Sequence, residues 1–261
     1  MKMKGFLFSV LLVAATTCFG QRFNLALSTP LAGQHEQYSV KGRQGLLIRQ
    51  KLSFGGYFTT EVKRGAIKSW RAASGFPGLI WKEHMEGRQS IRFRLSDQQD
   101  TSQVLMLTNI SATDLKLGND PNAFPNQIFP LLTVGTEAQQ NNLSAAIYFG
   151  TDEQPWELYL DNTDAQLRRE SYTGYVYKGE EYYQIVPVWE VLYKDKKRRI
   201  PFGAAGFEIV NADGEAVAAV SLMDNKGIVY LGNVSPREKF LMANVCATLL
   251  LQSNISPGDL N

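Results

Sequence analysis

The segment SPREKFLMANVCATLLLQ, Ser235 to Gln252, decides the fold. Ser235 can cap a helix, Pro236 suits the first helical position, and Glu238 stands three residues after the cap. Together these form a helix start that leads into an apolar run. At about 100° per residue, Phe240, Leu241, Met242, Val245, Cys246, Leu249, Leu250 and Leu251 surround the axis. Only Asn244 and Thr248 share a polar stripe. A helix that is apolar on every side must be buried on every side. It is too short to cross a bilayer, which needs about 20 residues. The rest of the chain must therefore supply a container for it.

That container reads as β. Short runs rich in Val, Ile, Tyr, Phe and Thr recur between turn residues: Gly45–Gln50, Tyr57–Val62, Ser90–Leu95, Val104–Thr108, Ala145–Phe149, Trp156–Leu160, Tyr182–Tyr193, Gly206–Val210, Ala216–Leu222 and Ile228–Leu231. Within Ile91–Leu95, residues Ile91, Phe93 and Leu95 face one way and Arg92 and Arg94 the other. Asp213-Gly214 signals a two-residue hairpin, and Asp224-Asn225-Lys226-Gly227 a second turn. Gly55-Gly56 and Lys178-Gly179 are weaker turn signals. Pro187, inside the longest apparent run, predicts an edge or a bulge. The expected fold is mainly β: an antiparallel closed barrel or sandwich of about twelve or more strands around a buried hydrophobic C-terminal helix.

The stretch GFEIVNADGEAVAAVSLMDNKGIVYLGNVSPREKFLMANVCATLLLQ, Gly206 to Gln252, runs strand, hairpin, strand, turn, strand, helix. In this it resembles the tubby C-terminal-like superfamily, which includes the phospholipid scramblases and the LURP-one-related proteins. Tyr38 to Gly65 is similar in texture to that superfamily's opening strands. The resemblance is one of pattern over about half the chain, and it implies a closed barrel around the C-terminal helix. Fold likeness transfers little function, because function lives in the site.

Residues 1–20 carry Lys2 and Lys4, an apolar run from Phe6 to Ala15, and an exit at Gly20. This is the form of a secretory signal peptide. Cleavage after Gly20 fits better than lipid anchoring at Cys18, because Ala15 and Thr17 match the lipoprotein cleavage pattern poorly. Residues 21–261 then form a single β-rich domain destined for the periplasm or cell surface. With Cys18 removed, Cys246 is the sole thiol, so core burial must replace disulfides. The whole chain holds 27 Lys+Arg and 25 Asp+Glu, and loss of Lys2 and Lys4 makes it formally neutral. A neutral chain argues against a general nucleic-acid binder. From Gln21 to Gly118 there are 14 basic and 7 acidic residues, and from Asn119 onward 11 and 18. The proline-containing connection 118–130 separates these two halves. Their opposite charges favour packing as one body, with a basic outer face on the first half as the sharper alternative.

Chemical motifs are sparse. No G-x-S-x-G is present, and Ala72-Ala73-Ser74-Gly75 lacks the first glycine. His35 stands in a polar loop, and His84 lies among acids. Glu180-Glu181 and Asp152-Glu153 read as hairpin turns. Asp161-Asn162-Thr163-Asp164 lacks the glycine and terminal glutamate of a calcium loop. No catalytic residue, metal site or cofactor is assigned. The tyrosines and tryptophan Tyr172, Tyr175, Tyr177, Tyr182, Tyr183, Trp189 and Tyr193 read as core packing, with a stacking face as the alternative; alternation puts Tyr183, Trp189 and Tyr193 on one side. The candidate ligand contacts are Lys194, Lys196, Lys197, Arg198 and Arg199, expected at a strand-to-strand turn. Near an anionic lipid surface each basic residue contributes about 1 kcal/mol. The expectation is an exported, non-catalytic binding or interaction protein of the cell envelope, with anionic lipid, another polyanion or an envelope protein as partner and no transmembrane span. Two alternatives stand beside it: an envelope hydrolase using His84 or a carboxylate pair, and a structural component of an envelope assembly.

Overall fold

The computed structural model describes residues 24–43, 50–75, 80–117, 140–150, 152–163, 174–194, 196–200, 203–223 and 227–252. Residues 1–20 with Cys18, the connection 118–130, most of the run 45–50 and residues 224–226 lie outside the described residues.

The described chain forms sixteen strands and one long helix. Those of the first half are β1 (Asn24–Leu25), β2 (His35–Ser39), β3 (Ser53–Phe54), β4 (Tyr57–Arg64), β5 (Lys68–Gly75), β6 (Ile80–Ser96) and β7 (Thr101–Leu117). Then come β8 (Gln140–Phe149), β9 (Trp156–Asp161), β10 (Gly174–Lys178), β11 (Glu181–Val188), β12 (Glu190–Tyr193) and β13 (Lys196–Arg199). The last are β14 (Gly206–Val210), β15 (Ala216–Ser221), β16 (Ile228–Gly232) and the helix α1 (Pro236–Leu251).

Twelve strands form one antiparallel path, β2-β16-β15-β14-β11-β10-β9-β8-β7-β6-β4-β3. The two ends of the path meet where Lys41 and Ser53 exchange both backbone hydrogen bonds, at 2.9 and 3.0 Å. The sheet is thus a barrel, closed at that one bridge.

The helix fills this barrel. All twelve residues from Phe240 to Leu251 are buried. One apolar cluster joins them to inward side chains right around the ring, among them Phe93 of β6, Val104 of β7, Ile147 of β8, Leu158 of β9, Val176 of β10 and Val229 of β16. The polar stripe is satisfied inside the lumen. Ser102 Oγ donates to Asn244 Oδ1 at 2.5 Å, Asn244 Nδ2 donates to the Phe240 carbonyl, and Thr248 Oγ1 donates to the Asn244 carbonyl. Ser235 caps the helix as expected, its hydroxyl accepting from the Glu238 N–H. At the other end Arg64 Nη2 donates to the Leu251 carbonyl at 3.0 Å, placing a cation where the helix dipole is negative. Gly227, at φ 78°, lies so close to Leu250 that a Cβ would stand 2.8 Å from Leu250 Cδ2. A side chain there would collide with the helix.

A second layer explains the burial of both faces of the last strands. β1, β12 and β13 form a small separate sheet. Leu25 and Val191 of this sheet pack with Ala219, Ile228 and Tyr230 on the far side of β15 and β16. Strands covered on both faces read as unbroken apolar runs, as AVAAVS does over Ala216–Ser221.

Three local details bear on the sequence reading. The run Tyr182–Tyr193 is two strands, because the chain leaves the barrel at Trp189 to enter the small sheet. Among the described residues Pro187 lies beyond the last β10 pair at Ile185 and pairs with Phe207 of β14. The Asp213-Gly214 hairpin has a three-residue loop rather than two. Asn211 N–H donates to the Glu215 carbonyl, Asn211 Oδ1 accepts from the N–H groups of Asp213 and Glu215, and Gly214 takes φ 82°.

Two outcomes are expected from this packing. Ser102→Ala strands the Asn244 amide oxygen in the lumen and should lower stability to urea by about 1–3 kcal/mol. Cys246 is buried and its thiol is pushed up by desolvation, so Ellman's reagent should label it only after denaturation.

Candidate functional site

The lumen is occupied, which leaves the barrel's ends and outer surface to carry a site. At the end where the helix starts, aromatic rings crowd around Phe240. Tyr57 stacks on it at 6.2 Å and Phe149 leans against it at 5.4 Å. Tyr183 packs on Trp156 and donates to Glu238 Oε1 at 3.0 Å. Lys178 and Arg237 flank Asp152 at 2.8 and 3.7 Å, and the Lys178 hydrogen bond holds its carboxyl below the usual range. A shallow cavity of about 260 Å³ lies here, lined in part by Lys178, Tyr183 and Arg237. Both cations at this mouth of the barrel are already paired with Asp152.

The predicted basic residues lie beside the barrel. Lys196, Lys197, Arg198 and Arg199 do not sit at a turn: they form β13, the terminal strand of the small sheet, and all four are exposed. They pair with β12, Glu190 opposite Arg199 and Tyr193 opposite Lys196. Lys194 occupies the turn with φ 50°. Arg198 lies 4.7 Å and Lys194 5.5 Å from the Tyr193 ring centre, both within cation–π range. Lys197 stands 4.0 Å from Glu190. Lys196 and Arg198 thus project to the face of β13 that carries the Tyr193 ring and Lys197 and Arg199 to the other, with Lys194 in the adjoining turn.

The other sequence candidates separate. His35 is not a loop residue but part of β2. Its Nδ1 donates to the Leu31 carbonyl at 2.8 Å, and its ring meets Tyr230 edge-on, a packing role. His84 lies on β6 with Glu86 Oε1 at 3.2 Å and the Trp70 ring at 6.0 Å. Asp161 Oδ1 accepts from the Thr163 N–H, and Asn162 Nδ2 donates to Asn141, so this stretch orders its own turn. Among the described residues no group of three or more His, Cys, Asp or Glu could hold a metal ion. The tyrosines divide. Tyr183 packs into the mouth, while Tyr177 and Tyr182 are exposed together with Tyr159. Tyr172 lies outside the described residues. Tyr183, Trp189 and Tyr193 do not share a side, because the chain breaks at Trp189.

Sequence reasoning missed one feature. β6 and β7 are each 17 residues long, and their pairing extends well past the Ser90–Leu95 and Val104–Thr108 pieces. β5 pairs along this extension, from Lys68 opposite Arg88 to Gly75 opposite Trp81. A cleft of about 390 Å³ opens there, lined by residues that include Lys68, Trp70, Glu86, Arg88, Asn109 and Asn142. Trp70 is 56% exposed. A lone tryptophan between Ser69 and Arg71 carries no periodicity, so no sequence signal marked it.

No family model, curated protein or solved structure matches the chain. No helix among the described residues is long and apolar enough to cross a membrane.

The mouth also predicts a pH response. Desolvation pushes the hydroxyls of Tyr38 and Tyr57 up to about 12. A raised folded-state value contributes stability in full below the ordinary value of about 10 and loses it as pH climbs through the raised one. Tyr177, Tyr183 and Tyr230 are raised as well, so absorbance titration at alkaline pH should show a late-ionising group of tyrosines, and Tyr57→Phe should remove one member of it.

Proposed function

We propose that this chain is an exported, non-catalytic binding protein of the cell envelope that engages anionic lipid through its basic strand. The observation that carries the reading is β13 itself. Lys196, Lys197, Arg198 and Arg199 are consecutive, all exposed, and placed on the terminal strand of its sheet. An isolated charge run at a flexible tip is ordinary solvation, but a paired strand holds its cations in a fixed array. Each face of the strand presents a pair of cations to phosphate headgroups, and each basic residue near an anionic surface adds about 1 kcal/mol.

Two further features support it. The helix-filled lumen argues against carriage of a ligand inside the barrel. The arrangement itself, a ring of twelve strands around a hydrophobic C-terminal helix, is the one that the tubby-like resemblance implies, and it supports reading the chain as a distant relative of that superfamily. The sequence of residues 1–20 supports export, with cleavage after Gly20.

The test is co-sedimentation with phosphatidylglycerol vesicles against phosphatidylcholine vesicles. Reversing Lys196, Lys197, Arg198 and Arg199 to glutamate should weaken binding to the anionic vesicles by at least roughly tenfold, with the circular dichroism spectrum and thermal midpoint retained. Equal binding to both lipids, or unchanged binding by the charge-reversed protein, would reject the proposal. An envelope hydrolase would instead show a turnover lost on His84→Ala.

A further inference from the structure

We infer that the cleft on β5–β8 is a saccharide-binding site, with Trp70 as its stacking platform. This is separate from the lipid reading and rests on different residues.

The register builds the site. Lys68, Arg88, Asn109 and Asn142 stand opposite one another in a row that crosses four adjacent strands. Trp70 and Glu86 form the next row on the same face, two residues along. A strand places every second side chain on one face, so these two rows project together. Between the rows the backbone of Gly87 lines the cleft.

The indole is left open but held in place. His84 meets its ring at 6.0 Å in an edge-on arrangement, and His84 is itself held by Glu86 at 3.2 Å. Tryptophan normally buries most of its large surface, so a ring that is 56% exposed on an ordered strand calls for an occupant. The polar groups define which kind. Arg88 Nε donates to Asn109 Oδ1 at 2.9 Å, which fixes both side chains along the cleft. Asn142 Oδ1 is shielded from water and has no donor. Buried polar atoms are nearly always satisfied. The terminal torsion of asparagine is broad, and turning it brings that oxygen to a donor in the cleft.

A pyranose ring fits this combination. It offers an apolar C–H face to the indole and hydroxyl donors to an amide oxygen, and its ring oxygens and hydroxyls accept from arginine and lysine. A purely apolar ligand would leave the polar row unpaired, and a simple anion would leave the indole uncovered.

The experiment is calorimetry and tryptophan fluorescence on the purified protein with chitotetraose, cellotetraose and tetragalacturonate. Saturable binding is expected for at least one of them, with emission changing at the same midpoint. Trp70→Ala should weaken it at least about tenfold, the weight of a tryptophan anchor in a recognition site. Asn142→Ala should also weaken binding while leaving the thermal midpoint unchanged or raised, because it removes an unsatisfied atom. The charge-reversed β13 protein should bind the sugar as the parent does, which separates this site from the lipid strand. Preference for tetragalacturonate would place a carboxylate against Lys68 and Arg88; preference for either neutral chain would place hydroxyls there. Absence of saturable binding to all three, or parental affinity in Trp70→Ala, would overturn the inference.

Discussion

The rest of the structure depends on the need to bury a helix that has no polar face. A sheet can cover one side of a helix, and a second sheet can cover another, but only a closed ring covers every side. Twelve strands meet that need, and the ring closes where Lys41 pairs with Ser53. The two polar side chains of the buried stretch remain tolerable because Ser102 and the helix's own carbonyls satisfy them. An unsatisfied amide in that lumen would cost about as much as several buried methyl groups contribute. The helix is thus the core of the barrel, and Cys246 within it is a free, buried thiol.

Filling the lumen determines where binding can occur. Apolar surface, the usual material of a small-molecule pocket, is used up on the helix and on the second layer beneath β1 and β12. What is left outside is chemically selective in two different ways. β13 offers charge without an enclosing cavity, and its cations are ordered by a strand and an underlying tyrosine. The β5–β8 cleft offers an open groove with an aromatic wall and a mixed polar floor. These surfaces suit different partners, and both belong to excursions from the ring: the small sheet and the extended β6–β7 hairpin. Such excursions can vary without disturbing the barrel, which is why function in a filled barrel gathers on them.

Much of the fold was legible because burial leaves a pattern. Phe240–Leu251 could only be a core helix, and Ile91–Leu95 could only be a half-buried strand. The reading failed where burial does not control structure. Beyond Ser90 the outward positions of β6 hold His84, Glu86 and Arg88 while the inward ones include Gly87, so polarity no longer alternates although the backbone ladder continues to Ile80. The run Lys196–Arg199 reads as a solvated turn because four cations give no reason for a strand; its pairing with β12 is a backbone effect invisible to side-chain patterning. The break at Trp189 lies between two strand-forming runs, and only the tertiary cover needed by β15 and β16 explains it. Of the site, the charges were legible by composition. Trp70 was not, since its exposure arises from where β5 is placed along the β6–β7 extension.

The most direct test of the account is native-state amide hydrogen exchange across residues 240–251. A helix that fills the barrel cannot open without dismantling it, so these amides should exchange only through global unfolding, with the same free energy as the most protected amides of β7 and β15. Exchange of the helix through a separate, less costly opening, while the strands remained protected, would show that the barrel stands without it and would contradict the central claim.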